Sequence, residues 1–119
     1  MPTTNQHLRK VDFNRRFLNG IPGTFPDWLV TVRFYIAVHT VDAYLATKGV
    51  ERVRDHRKRR WWLGDEKLLR RVETDYRQLE DLSVDARYGA HHSSSSDVSD
   101  ANSYLARIEN EIGPHLPSP

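Results

Sequence analysis

The sequence predicts an all-α protein, an antiparallel four-helix bundle with a long central second helix. Three observations predict it. Apolar residues recur at helical spacing in four separate stretches, no stretch alternates with the period of two that a strand needs, and glycine or proline punctuates the junctions. The 119 residues suffice for one compact core and leave no room for two, so residues 1–119 read as one helical domain.

The first helix is expected from about Asn5 to Leu18, with Leu8, Val11, Phe13, Phe17 and Leu18 as its apolar set. Asn19-Gly20 and Ile21-Pro22-Gly23 stop it. A second helix opens at Thr24 or Pro26-Asp27, where an acid suits the positive end of the dipole, and closes at Gly49. Its polar strip is Arg33, Thr40 and Thr47, and most other positions are apolar or aromatic, the pattern of a helix packed on more than one side. Residues 48–60, KGVERVRDHRKRR, form a basic loop with seven Lys or Arg against two acids, and Trp61-Trp62 follow, one of them expected in the core. The local charge of +5 leaves about −3 for the rest of a chain whose net charge is +2.

A third helix runs from Gly64-Asp65 to Ala86 or Tyr88, apolar along Leu68/Leu69, Val72, Tyr76, Leu79 and Leu82. Its expected solvated face is Lys67, Arg70, Arg71, Glu73, Arg77, Glu80 and Asp81. HHSSSSDVSD predicts a flexible loop over about 90–99, after which Ser99 or Asp100 caps a fourth helix carrying Tyr104, Leu105, Ile108 and Ile112. Residues 115–119 are expected to be a disordered tail.

Absences narrow the chemistry. The chain has no cysteine, so disulfides, thiolate metal sites and Cys nucleophiles are excluded. No stretch resembles a membrane span of roughly 18 apolar residues, and MPTTNQHLRK lacks the apolar core of a signal peptide, so a cytoplasmic protein is expected. His39, His56, His91 and His92 with Asp42 and Asp85 show no metal-ligand spacing, and no metal or cofactor is expected. The serines sit in no nucleophile elbow.

What remains is polar residues in unusual places. Tyr35, His39 and Asp42 share one stripe of the apolar second helix, and each buried polar group there needs a partner or a ligand. In DHRKRRWW, Arg57 and Arg60 are candidate phosphate grips, and His56 is a candidate proton donor, with an ordinary pKa near 6.5. The bland reading, which charge runs in general favour, is a solvated loop that keeps the protein soluble. Arg87 and His92 have an Arg-x4-His spacing, in which a histidine would activate a ribose 2′-hydroxyl and the arginine would stabilise a phosphorane, although Gly89 interrupts the helix between them.

DWLVTVRFYIAVHTVDAYLATKGV, DHRKRR and YRQLEDLSVDARYG, read together, resemble the HEPN superfamily of small helical bundles, over residues 27–89. The likeness is to its stand-alone bacterial and archaeal members. It implies a homodimer and either metal-independent RNA cleavage or nucleotide binding. It also implies a possible partnership with a nucleotidyltransferase-type antitoxin, in which case the chain is an interaction module. Distinctive polar residues of that branch match Tyr35, His39, His56 and Arg87-Tyr88. The expected site therefore gathers Arg87, His56 and His92 for catalysis, with Arg57, Arg60, Tyr35, His39 and Tyr88 holding RNA or a nucleotide phosphate.

Overall fold

The structure is a computed structural model and describes residues 2–50, 53 and 55–117. Helical structure alone is present among the described residues, in five α-helices where four are expected. The fifth arises because the basic segment is not wholly a loop.

Helix α1 (Thr4–Gly20) begins with a capping box. The Thr3 hydroxyl accepts from the Gln6 amide at 3.1 Å while the Gln6 side chain accepts from the Thr3 amide at 2.7 Å. Of its expected apolar set only Leu18 is buried; Phe13 and Phe17 are exposed. Helix α2 (Pro26–Thr47) starts with Pro26 in its first turn and Asp27 at the favourable end of the dipole. It ends where Gly49 takes the left-handed conformation, φ 84°, that spares glycine a Cβ penalty.

Burial along α2 is nearly continuous from Val30 to Leu45, and the chain's other helices pack around it. Of the expected polar strip, Thr47 is exposed and Arg33 half-buried, but Thr40 is buried and donates its hydroxyl back to the Ile36 carbonyl at 2.7 Å. By length and composition, with a mean hydropathy of 1.2, α2 meets the criteria for a membrane span, which its sequence was not expected to do. Yet 72% of that window is buried inside the fold, as in a core helix.

Helix α3 (His56–Asp65) overturns the expected loop. Asp55 caps it by accepting from the Lys58 amide at 2.8 Å, and Arg59 and Leu63, one turn apart, are buried. Trp62 packs on the core and Trp61 is exposed, their rings edge to face at 4.9 Å. The expected third helix is then broken at Glu66, whose extended backbone ends α3. Its carboxylate accepts from the Leu69 amide and the Tyr44 hydroxyl, both at 2.9 Å, and so starts a separate turn (Leu69–Val72, 3-10) that leads into α4 (Glu73–Tyr88). Leu69 and Val72 are fully buried there. At the far end of α4 a Cβ on Gly89 would stand 2.5 Å from the Asp85 carbonyl oxygen, so the chain can leave the helix this tightly only with glycine.

Helix α5 (Ser95–Ile112) begins five or six residues earlier than expected, inside the presumed 90–99 loop. Ser94 and Asp97 form a capping box, a signal hidden within the serine run. Its buried face, Ala101, Leu105, Ile108 and Ile112, agrees with the expected stripe. A short 3-10 turn (Gly113–His115) follows, so the expected tail begins as ordered chain; residues 118–119 lie outside the described residues. One hydrophobic core draws buried residues from all five helices.

Candidate functional site

Polar stripes on two of the core helices supply the candidate site. On α2 the stripe is Tyr35, His39 and Asp42; on α4 it is Tyr76, Glu80, Ser83 and Arg87, at successive spacings of four, three and four. Glu80 was expected on the solvated face, and it is buried. Helix α3 wedges His56, Arg59 and Arg60 between them.

The centre is a buried ion pair. Arg59 Nε donates to Asp42 Oδ1 at 2.8 Å and Arg59 Nη2 to Asp42 Oδ2 at 2.9 Å, with Arg59 5% and Asp42 6% exposed. This bidentate fork explains how α2 tolerates a carboxylate on its apolar stripe. Burial works against the Arg59 charge, but the Asp42 carboxylate more than offsets it, and the guanidinium pKa is raised. The Tyr76 hydroxyl beside it is buried without a hydrogen-bond partner, and desolvation pushes its pKa up.

Outward from the pair lies His56. Arg59 Nη1 stands 3.2 Å from His56 Nδ1, and since a guanidinium can only donate, Nδ1 accepts and Nε2 carries the proton. The ring packs on Phe34 at 5.5 Å. Burial lowers its pKa, and Arg59, Arg87 and Arg60 lower it further against the opposing pull of Glu80. Arg60 donates to Glu80 Oε1 at 3.0 Å; the other Glu80 oxygen is 3.8 Å from His56 Nδ1.

Arg87 closes the cluster. Its Nε donates to the Ser83 carbonyl at 3.2 Å and its Nη1 to the Tyr35 hydroxyl at 3.4 Å. The guanidinium lies over the rings of Phe34 and Tyr35, each 5.9 Å away, and Tyr88, 5.3 Å away. Tyr88 itself is 77% exposed, an open aromatic face at the edge of the cluster.

Of the expected site residues, Tyr35, His56, Arg60, Arg87 and Tyr88 therefore come together. Three do not. His39 turns away toward α1, where its Nδ1 is 3.1 Å from His7 Nδ1. Burial, then the neighbouring His7, lowers the His39 pKa to about 4, and burial lowers that of His7. His92, 90% exposed at its side chain, donates from Nδ1 to Asp27 Oδ2 at 2.7 Å, and that bond holds the Asp27 carboxyl below its ordinary range. Asp27 and Tyr35 are eight residues apart on α2, a rise of about 12 Å, so within one chain the Arg87-x4-His92 pair serves opposite ends of the same stretch of helix. Gly89 is the cause, because it ends α4 before His92 can share its face. Arg57 points to solvent on α3, with no ion-pair partner among the described residues.

Arg59 and Glu80, which the sequence reading did not single out, belong to the cluster; Ser83 adds its backbone carbonyl under Arg87 while its buried hydroxyl has no partner, and His7 stands apart with His39. The 76/80/83/87 spacing on α4 carried a readable signal for two of them. His7 had none, since its partner lies 32 residues away. No protein-family model, curated protein or solved structure matches the chain.

Proposed function

We propose that this protein binds the phosphate of RNA or of a nucleotide on the cluster formed by His56, Arg60, Arg87, Tyr35 and Tyr88, in the manner of the HEPN-like bundles its central segment resembles. The observation that carries the reading is the gathering of His56 and Arg60 at Glu80, with His56 and Arg87 both packed on Phe34. With Nδ1 accepting from Arg59, the half-exposed His56 ring keeps Nε2 as a donor beside the two arginines. Three donors of this kind suit phosphate oxygens, and an exposed tyrosine beside them suits a stacked base. Arg57, on the outer face of α3, adds charge along the path of a backbone.

The same geometry favours binding over cleavage. A neutral imidazole with its proton on Nε2 donates to an anion and takes no proton from a 2′-hydroxyl at that atom. A cleaving form of the protein, metal-independent and with Arg87 on the phosphate, needs His56 to exchange tautomers or needs His92 from a second copy of the chain. The homodimer that the resemblance implies meets that second condition.

The test is fluorescence anisotropy of a labelled short single-stranded RNA. Wild type binds with a salt-dependent affinity; Arg87→Ala and Arg60→Ala each weaken binding at least tenfold, while Arg87→Lys, which keeps the charge, recovers part of it. Binding that is absent in wild type, or undiminished in both alanine variants, refutes the reading. RNA cleavage in EDTA by wild type and not by Arg87→Ala separates an enzyme from a binder.

A second reading rests on a different face. Phe17, Ile21, Pro22, Phe25 and Trp28 line an apolar cavity of about 250 Å³ at the α1–α2 corner, with Phe17, Phe25 and Trp28 exposed. Exposed aromatic residues so grouped favour a protein partner. An interaction module, one half of a toxin–antitoxin pair with a nucleotidyltransferase partner, would use this surface in the cytoplasm.

A further inference from the structure

Helix α1 brings one residue to α2 that the phosphate cluster does not use. His7 lies across from His39, and Asp42 stands one turn further along the same stripe of α2. One ligand atom from each of the three falls within 4.8 Å of the other two. The two imidazole Nδ1 atoms are closest, at 3.1 Å. Two ligands on one tetrahedral zinc ion, with metal–nitrogen bonds of about 2.0–2.1 Å, stand about 3.3 Å apart, so the imidazoles already have nearly the separation a shared ion requires.

We infer that His7 Nδ1, His39 Nδ1 and the Asp42 carboxylate form a binding site for a divalent transition-metal ion of the zinc class. Two nitrogens and one oxygen are the donor set of such ions, whereas magnesium and calcium favour all-oxygen sites. The imidazoles are in the right state for the task. Burial lowers the pKa of both, so at neutral pH each is uncharged and one lone pair per ring is free once the proton sits on Nε2. Asp42 gives one lone pair of each oxygen to the Arg59 fork and keeps others, and the fork fixes the carboxylate's orientation as outer partners of metal ligands commonly do. A cavity of about 420 Å³ opens onto the two histidines between Pro2, Gln6 and Lys10, giving an entry path and room for a water as fourth ligand.

The charge balance sets a moderate affinity. Asp42 is already neutralised by Arg59, and Lys10 stands at the rim, so the site offers a divalent ion no net negative charge. The metal would also act structurally, clamping the first turns of α1, held there otherwise by the Thr4 hydroxyl on the Ala43 carbonyl at 3.3 Å, onto the central helix.

The alternative for the same pair of rings is a hydrogen bond between two neutral imidazoles, and titration distinguishes them. The EDTA-treated, dialysed protein is titrated with zinc chloride at pH 7.5 by calorimetry. One equivalent binds with a dissociation constant of roughly 1–50 µM, millimolar magnesium does not compete, and saturating zinc raises the melting temperature by roughly 5–10 °C. His7→Ala, with unchanged far-ultraviolet circular dichroism, loses at least tenfold in zinc affinity, and His92→Ala loses none. Long-range nitrogen–proton NMR spectra then show zinc shifting Nδ1 of His7 and His39. No stoichiometric binding by wild type at 100 µM zinc, or an affinity unaffected by His7→Ala, overturns the site. RNA affinity in His7→Ala stays at the wild-type value, so failure here is distinct from failure of the phosphate cluster.

Discussion

Replacing Arg59 by methionine tests the centre of the network directly. Methionine fills much of the arginine stem but removes both donors of the fork, at 2.8 and 2.9 Å, and leaves the Asp42 carboxylate with 8% of its side chain exposed. A buried ion left without its partner costs about 3–5 kcal/mol, against a total stability of about 5–15 kcal/mol for a domain of this kind. With a urea m-value of about 1.5–2 kcal/mol/M, the unfolding midpoint drops by about 2 M. The assay is urea denaturation followed by tryptophan fluorescence, for which the chain supplies three Trp. The double variant Asp42→Leu/Arg59→Met removes both charges and recovers most of the loss, giving a coupling energy of about 2 kcal/mol or more in the double-mutant cycle. A loss under about 1 kcal/mol for Arg59→Met, or a double variant no better than the sum of the singles, shows that the two side chains are not a desolvated pair.

The same equipment checks two more outcomes. In EDTA, stability falls as pH drops below about 6.5: His7, His39 and His56 all have folded-state pKa values depressed by burial, His39 to about 4, so the unfolded chain takes up protons first. His56→Gln flattens part of that slope at pH 5–6.5, and an unchanged slope counts against a half-buried neutral imidazole at position 56. Ser94→Ala removes the cap on the Asp97 amide and costs about 1 kcal/mol, and hydrogen exchange quickens in the first turn of α5; no change at either readout means that the serine run is a loop after all.

Much of the architecture was legible because its causes are local. The stop at Gly49, the stripe Leu105–Ile108–Ile112 and the central place of α2 follow from backbone conformation and hydrophobic period, which neighbours along the chain express without help. The errors have separate origins. Phe13 and Phe17 look like core residues, yet both are exposed, and Leu18 is the buried residue of α1. The start of α5 was missed because a capping box made of Ser94 and Asp97 reads, inside four serines, as low complexity.

For the functional cluster the division is sharper. Sequence by itself determined an all-helical protein, a polar stripe of Tyr35, His39 and Asp42 on an apolar helix, and a reservoir of arginine beyond it. The tertiary structure alone decided how that stripe is shared out. Tyr35 goes to Arg87, Asp42 to Arg59, and His39 to His7. Spacing along a helix tells which side chains face the same way, since 3.6 residues per turn is a property of the backbone. Which charge is buried opposite which depends on partners 17, 32 and 52 residues distant, and only the packing of whole helices brings those together.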